Sequence, residues 1–170
     1  YDLKRRPIRL DLTWGKLPSD LDVHLWLPET FGYKFHLYPD NKGTTSKLPW
    51  AKIDKDSFGT ATTKTERITI QDRFPGVYTF AVFNYYRDGK WETSGARVVF
   101  SKLDATGKVW TPMAPVTVLR SDVTSYLGKW WHVFNIDGAT GEISGSIINT
   151  VQIESPGPYD QFGGTALEPK

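Results

Sequence analysis

The 170-residue chain contains no cysteine. A disulfide framework, a zinc finger, an iron–sulfur cluster and a cysteine nucleophile are therefore all excluded. Methionine occurs once, and the formal net charge is only +2, so no broad basic footprint for nucleic acid exists. No apolar run approaches the ~20 residues that a membrane-spanning helix needs. Several enzyme signatures are also missing: a Gly-x-Ser-x-Gly elbow, a phosphate-binding glycine loop and a His-Glu-x-x-His pair. There is no Asn-x-Ser/Thr sequon. A chain opening on Tyr1 rather than Met is expected to be a processed or trimmed product, and no secretory signal pattern is visible in it.

What is present is aromatic. Phe, Trp and Tyr make up 14% of the chain, with seven Trp and eight Tyr, while hydrophobic residues reach 39% and charged residues 24%. That is the composition of a folded domain. The length suits one domain and is enough to bury a substantial core.

Strand signals dominate the chain. Ile8-Arg9-Leu10-Asp11-Leu12-Thr13-Trp14 alternates strictly, and Asp22-Val23-His24-Leu25-Trp26-Leu27 follows after a turn. Further strand signals lie at 34–38, 66–70, 77–86, 96–103, 109–110, 116–119, 130–136 and 147–153, with Gly, Pro and Asp turns between them. The best helix candidate, 121–127, is about two turns long. Short strands without intervening helices predict an antiparallel β-sandwich, immunoglobulin-like or C2-like in general architecture. Residues 1–154 are assigned to this single domain and 155–170 to a turn-rich tail or linker.

Pairing strands 22–27 and 34–38 so that opposed residue numbers sum to about 60 puts Leu25 against Phe35 and His24 against His36. The same register sets Asp20 against Asp40, an acidic rim at one end of the hairpin.

Two Asp-x-Asp pairs stand out, Asp20-Leu21-Asp22 and Asp54-Lys55-Asp56, with Asp40 between them. Residues two apart in a strand share a side, so each pair is expected to present its carboxylates together. Such like charges repel, and a hard cation with oxygen ligands relieves them. Asp20, Asp22, Asp40, Asp54 and Asp56 are therefore candidate calcium ligands. The competing reading is that they are ordinary turn aspartates bonding to local backbone.

His24 and His36 on one sheet face could ligate zinc or titrate together, but a third and fourth ligand would be required. A plain cross-strand pair is the other reading. The Trp surplus offers platforms for sugar rings or partner proteins, or cover for a sheet face. Trp26, Trp50 and Trp91, with His24 and His36, are the candidate ligand contacts. Adjacent Trp130 and Trp131 must point to opposite faces of their strand, so one lies outside the core or under a loop.

The run 8–14 followed by Ser19-Asp20-Leu21-Asp22-Val23-His24-Leu25-Trp26 resembles the YfaP-type domain of bacterial envelope and surface proteins. The resemblance continues through Tyr38, Lys42-Gly43, Asp54-Lys55-Asp56, Pro75-Gly76-Val77-Tyr78, Asn84-Tyr85 and Trp131-His132-Val133-Phe134, and covers about residues 7–137. It implies a β-sandwich outside the cytoplasm with no catalytic residues to carry over, and it groups Asp20, Asp22, Asp54 and Asp56. The expectation is a non-catalytic extracellular, cell-surface or periplasmic module for adhesion or assembly, stabilised by calcium at one loop end. Its partner would be a protein or a glycan, with no nucleic acid and no membrane span. The alternatives are a carbohydrate-binding module using exposed Trp, and a structural subunit of a filament or layer assembled through a terminal strand.

Overall fold

The structure, a computed structural model, describes residues 6–119 and 128–159. The strict alternation at the start becomes β1 (Ile8–Trp14), whose even residues are all buried. It is followed by β2 (Leu21–Trp26), β3 (His36–Leu37), β4 (Gly43–Thr44), β5 (Ala51–Lys55), β6 (Lys64–Ile70) and β7 (Val77–Asn84). A single helical turn, α1 (Trp91–Ser94), precedes β8 (Arg97–Leu103), β9 (Trp110–Pro112), β10 (Val116–Thr117), β11 (Trp130–Asp137), β12 (Glu142–Ile143) and β13 (Thr150–Gln152). The helix candidate at 121–127 lies outside the described residues.

These strands form two antiparallel sheets, as the alternation requires. One runs β10-β8-β1-β6-β5-β4, with β9 also on β8; the other runs β12-β11-β7-β2-β3, with β13 also on β11. The core lies between them. Leu10 and Leu12 of β1, Ile68 of β6 and Phe100 of β8 face Val23 and Leu25 of β2, Phe80 of β7 and Phe134 of β11. Each of these side chains is essentially removed from water, the main favourable contribution to the fold.

The β2–β3 hairpin is built one step of two away from the expected register. Leu25 pairs with Leu37 and Trp26 with His36, not with Phe35 and Lys34. A slip of two keeps every side chain on its face, so burial alone does not separate the two registers. The loop decides it through its own bridge between Thr30 and Tyr33. The segment expected at 147–153 narrows to β13, which pairs with β11 inside its own sheet. One of its edges is therefore taken up within the chain.

The outer face of the β11-β7-β2 sheet is also covered. Trp26, Ala81 and Trp130 form a second buried cluster there, flanked by Phe83 and Tyr159. Trp131, one residue on, belongs to the main core. Gly157 and Tyr159, in the segment expected to be a tail or linker, are part of this cover. A Cβ on Gly157 would lie 2.0 Å from Trp26 Cε2, so only glycine fits there. The Tyr159 hydroxyl donates to the Leu27 carbonyl at 2.8 Å.

Candidate functional site: an acidic pocket at one end of the sandwich

The inward stripe of β6 changes character along its length. Ile70 and Ile68 are core residues, but the next inward positions are Glu66, 0% exposed, and Lys64, 3% exposed. Burying a carboxylate or an ammonium costs several kcal/mol unless partners compensate it. Lys64 is compensated: its Nζ donates to the carbonyls of Gly15 and Lys16 at 2.8 Å and of Ala61 at 3.2 Å. It thereby fixes the loop between β1 and β2. Glu66 accepts the backbone N–H of Val23 at 2.8 Å and of Ser57 at 3.3 Å.

The same loop delivers Asp20 and Asp22. Ser19 donates its N–H to Asp88 at 2.9 Å, Asp20 bridges Phe58, and the Tyr85 N–H donates to the Asp20 carbonyl at 3.2 Å. Asp20, Asp22 and Glu66 then each bring a carboxylate oxygen to a common point, with these oxygens within 4.8 Å of one another. Asp56 joins them, hydrogen-bonded to Glu66 and paired with Lys42 at 2.9 Å.

Above these carboxyls lies a cavity of about 310 Å³, lined by Asp20, Asp22, Asp40 and Asp56 together with His24, Tyr38, Phe83, Tyr85 and their neighbours. Of the five aspartates expected at a metal site, Asp20, Asp22, Asp40 and Asp56 therefore meet at one pocket, and Asp54 does not. Asp54 is exposed on the far face of β5, where it accepts the Thr69 hydroxyl. The reason is a bulge. Ile53 pairs with Ile68 but Lys55 pairs with Arg67, so one residue of β5 is extra. A bulge reverses the alternation beyond it. Asp54 and Asp56 consequently part company, and Asp56 turns inward beside Glu66.

Glu66 has no counterpart among the sequence-level candidates. The signal was present in Lys64-x-Glu66-x-Ile68-x-Ile70, an inward stripe ending in two ionisable residues, but it identifies Glu66 only once the inward parity of β6 is known.

The electrostatics reflect crowding. Burial, with the charges of Asp20 and Asp56 added to it, pushes the Asp22 carboxyl up to about 8. Burial likewise pushes Glu66 up to about 10 despite the opposing Val23 N–H. Asp20 is raised by burial and by Asp56. Asp22 is only 6% exposed and lines the pocket, yet among the described residues no N–H or hydroxyl donates to its carboxylate. Its hydrogen-bonding neighbour is the Asp20 carboxyl, so the two must share a proton or a cation.

The donor set is all carboxylate, which suits a hard cation. Calcium takes oxygens at about 2.3–2.6 Å, so two oxygens on one ion stand no more than about 5.2 Å apart. The separations among Asp20, Asp22 and Glu66 fit that limit.

The other candidates are placed differently. His24 and His36 are bonded to each other, Nδ1 to Nε2 at 2.8 Å, and both are buried. They are stacked among aromatic rings: His36 lies 4.3 Å from the Trp26 centroid and 4.8 Å from that of Tyr38. Burial lowers His36 to about 4 and holds His24 well below the ordinary histidine value. The pair gathers no further metal ligand: His132 bonds Asn135 at 2.8 Å instead. Trp26 and Trp91 are 0% exposed and do not form a binding platform. Trp91 packs near Trp131 and donates its indole N–H to the Gly128 carbonyl. Trp50 is half-buried beside β5, away from the pocket lining. The exposed rings at the pocket are Phe58, Tyr85 and Tyr86.

No helix among the described residues is long and apolar enough to cross a membrane. Comparison with protein-family models, with curated proteins and with solved structures yields no match to this chain.

Proposed function

We propose that this chain is a non-catalytic β-sandwich module of an extracellular or cell-surface protein, of the YfaP-type its sequence resembles, serving adhesion or assembly. Calcium bound between Asp20, Asp22 and Glu66, with Asp56 beside them, stiffens the loop end. The observation that carries the reading is Asp22: a nearly buried carboxyl facing the pocket whose hydrogen-bonding neighbour is another carboxyl, a like-charge conflict that only a shared proton or a cation relieves. A cation removes that conflict and at the same time joins the β1–β2 loop to β6 of the opposite sheet. In a chain without disulfides, such a staple adds stability where the sandwich is open.

The reading is tested by thermal unfolding of purified protein stripped with a chelator and then given calcium. Calcium should raise the melting temperature. An unchanged melting temperature contradicts the site. The alternative built on exposed Trp finds no support, because five of the seven Trp are buried and Trp50 and Trp110 are half-buried.

A further inference from the structure

We infer that the pocket takes a neutral polyhydroxyl ligand, a sugar ring, which donates hydroxyl oxygens to the bound cation and rests on Tyr85 and Tyr86. The inference rests on the cation reading above. It starts from the size and shape of the cavity. An ion needs only a cup a few ångströms across, whereas this cavity holds about 310 Å³ and continues past the carboxyls between Tyr38, Phe58, Phe83, Tyr85 and Tyr86. That volume is at the lower end of small-molecule sites.

Coordination points the same way. Calcium takes six to eight oxygens. Asp20, Asp22 and Glu66 offer one each within reach, and of these Asp20 and Asp22 also line the cavity. That leaves positions for water or for the paired hydroxyls of a sugar on the cavity side.

The wall supplies the second contact. Tyr85 is 53% exposed and Tyr86 63% exposed, their rings meeting edge to face at 4.9 Å. Exposed aromatic rings at the mouth of a concave site are suited to the apolar face of a sugar. Asp40 at the rim can accept hydroxyl protons.

Charge selects among oxygen-rich ligands. Asp20, Asp22 and Glu66 hold the ion, Asp56 stands beside Glu66, and Lys42 pairs with Asp56. A divalent ion offsets two of these carboxylates and Lys42 a third, so no positive charge is left to attract an anion. Sialylated, sulfated or uronic acid ligands are repelled, and an amine competes with the ion itself. A neutral sugar meets neither difficulty.

The test is a glycan array carrying neutral and acidic glycans, read with calcium and with EDTA, alongside calcium-dependent thermal shifts of the same preparations. Binding of neutral glycans only, lost in EDTA, is the expected result. Tyr85→Ala with Tyr86→Ala should weaken binding on the order of tenfold or more while leaving the calcium thermal shift intact. Tyr85→Phe, which keeps the ring, should retain binding. A calcium thermal shift without any neutral-glycan binding overturns the sugar inference and leaves the cation reading standing. Absence of the calcium shift overturns both, and glycan binding that persists in EDTA overturns the bridging role of the ion. Preference for acidic glycans, or full binding by the double alanine variant, also overturns the inference.

Discussion

Glu66 on β6 accepts the backbone N–H of Val23 on β2 at 2.8 Å, so one buried side chain joins the two sheets at the acidic end of the sandwich. The bond fixes one Glu66 oxygen and holds the carboxyl against Asp22, its neighbour along the chain from Val23. Strand geometry thus forces acidic side chains of opposite sheets together, and the pocket's chemistry follows from that enforced proximity.

The first consequence concerns pH. In the folded, metal-free protein Asp22 is raised to about 8 and Glu66 to about 10, so both keep protons that an unfolded carboxyl has already lost. The folded state then binds more protons than the unfolded state. The stability this contributes is fully present below the ordinary carboxylate range of about 4 and is lost as pH rises through the raised values. Denaturant unfolding in EDTA should therefore show stability falling between about pH 5 and pH 9. With calcium present the trend should flatten, because the ion replaces the protons and binds better as they leave. A flat profile in EDTA would contradict the crowding of these carboxyls.

The two buried imidazoles predict the opposite behaviour on the acid side. His36 is lowered to about 4 and His24 lies well below its ordinary value, both through burial. In folded protein neither ring should titrate near the ordinary histidine midpoint of about 6.5. Ring nitrogen shifts measured by NMR across that range should stay those of neutral imidazole, and a midpoint near 6.5 for either ring would contradict their placement under the outer cluster.

The segment over Trp26 makes a packing prediction. A Cβ on Gly157 would stand 2.0 Å from the indole, so Gly157→Ala should destabilise the protein by about 1–3 kcal/mol. Tyr159→Phe removes only the bond to the Leu27 carbonyl and should cost about 1 kcal/mol. Denaturant midpoints measure both. Equal stability of Gly157→Ala and the parent would mean that the segment does not rest on Trp26.

The bulge in β5 separates two aspartates that the sequence makes look equivalent. Asp56 stands beside Glu66, and Asp54 is on the opposite face with Thr69. Asp56→Asn should weaken calcium binding, whereas Asp54→Asn should leave it within error of the parent, as read by calcium titration calorimetry. Loss of binding in Asp54→Asn would show the bulge to be wrongly placed.

The fold was legible because alternation is a local signal. The pattern of 8–14 is β1 residue for residue, the period-two run at 22–27 maps onto β2, and the β-rich runs at 77–86 and 130–136 map onto β7 and β11. The antiparallel sandwich followed from those runs. Three features were not legible, each for a physical reason. The β2–β3 register depended on a loop bridge rather than on burial. The divergence of Asp54 from Asp56 depended on one extra residue that only the pairing with β6 defines. Glu66 became a site residue through contact across the sandwich, with β2 and β6 brought together from 43 residues apart. Asp20, Asp22 and Asp40 were found because they lie near the ends of one hairpin, where sequence distance and spatial distance agree. The burial of Trp26 and Trp91 was not legible either, because composition counts aromatic residues without saying which face they occupy.

The most direct test of the account is calcium titration calorimetry on metal-stripped protein at mildly alkaline pH, run on the parent chain and on Asp22→Asn and Glu66→Gln, with circular dichroism confirming that each is folded. The account predicts one calcium ion bound by the parent and loss of at least tenfold in affinity in either variant. A parent chain that binds no calcium, or folded variants that bind it as tightly as the parent, would contradict it.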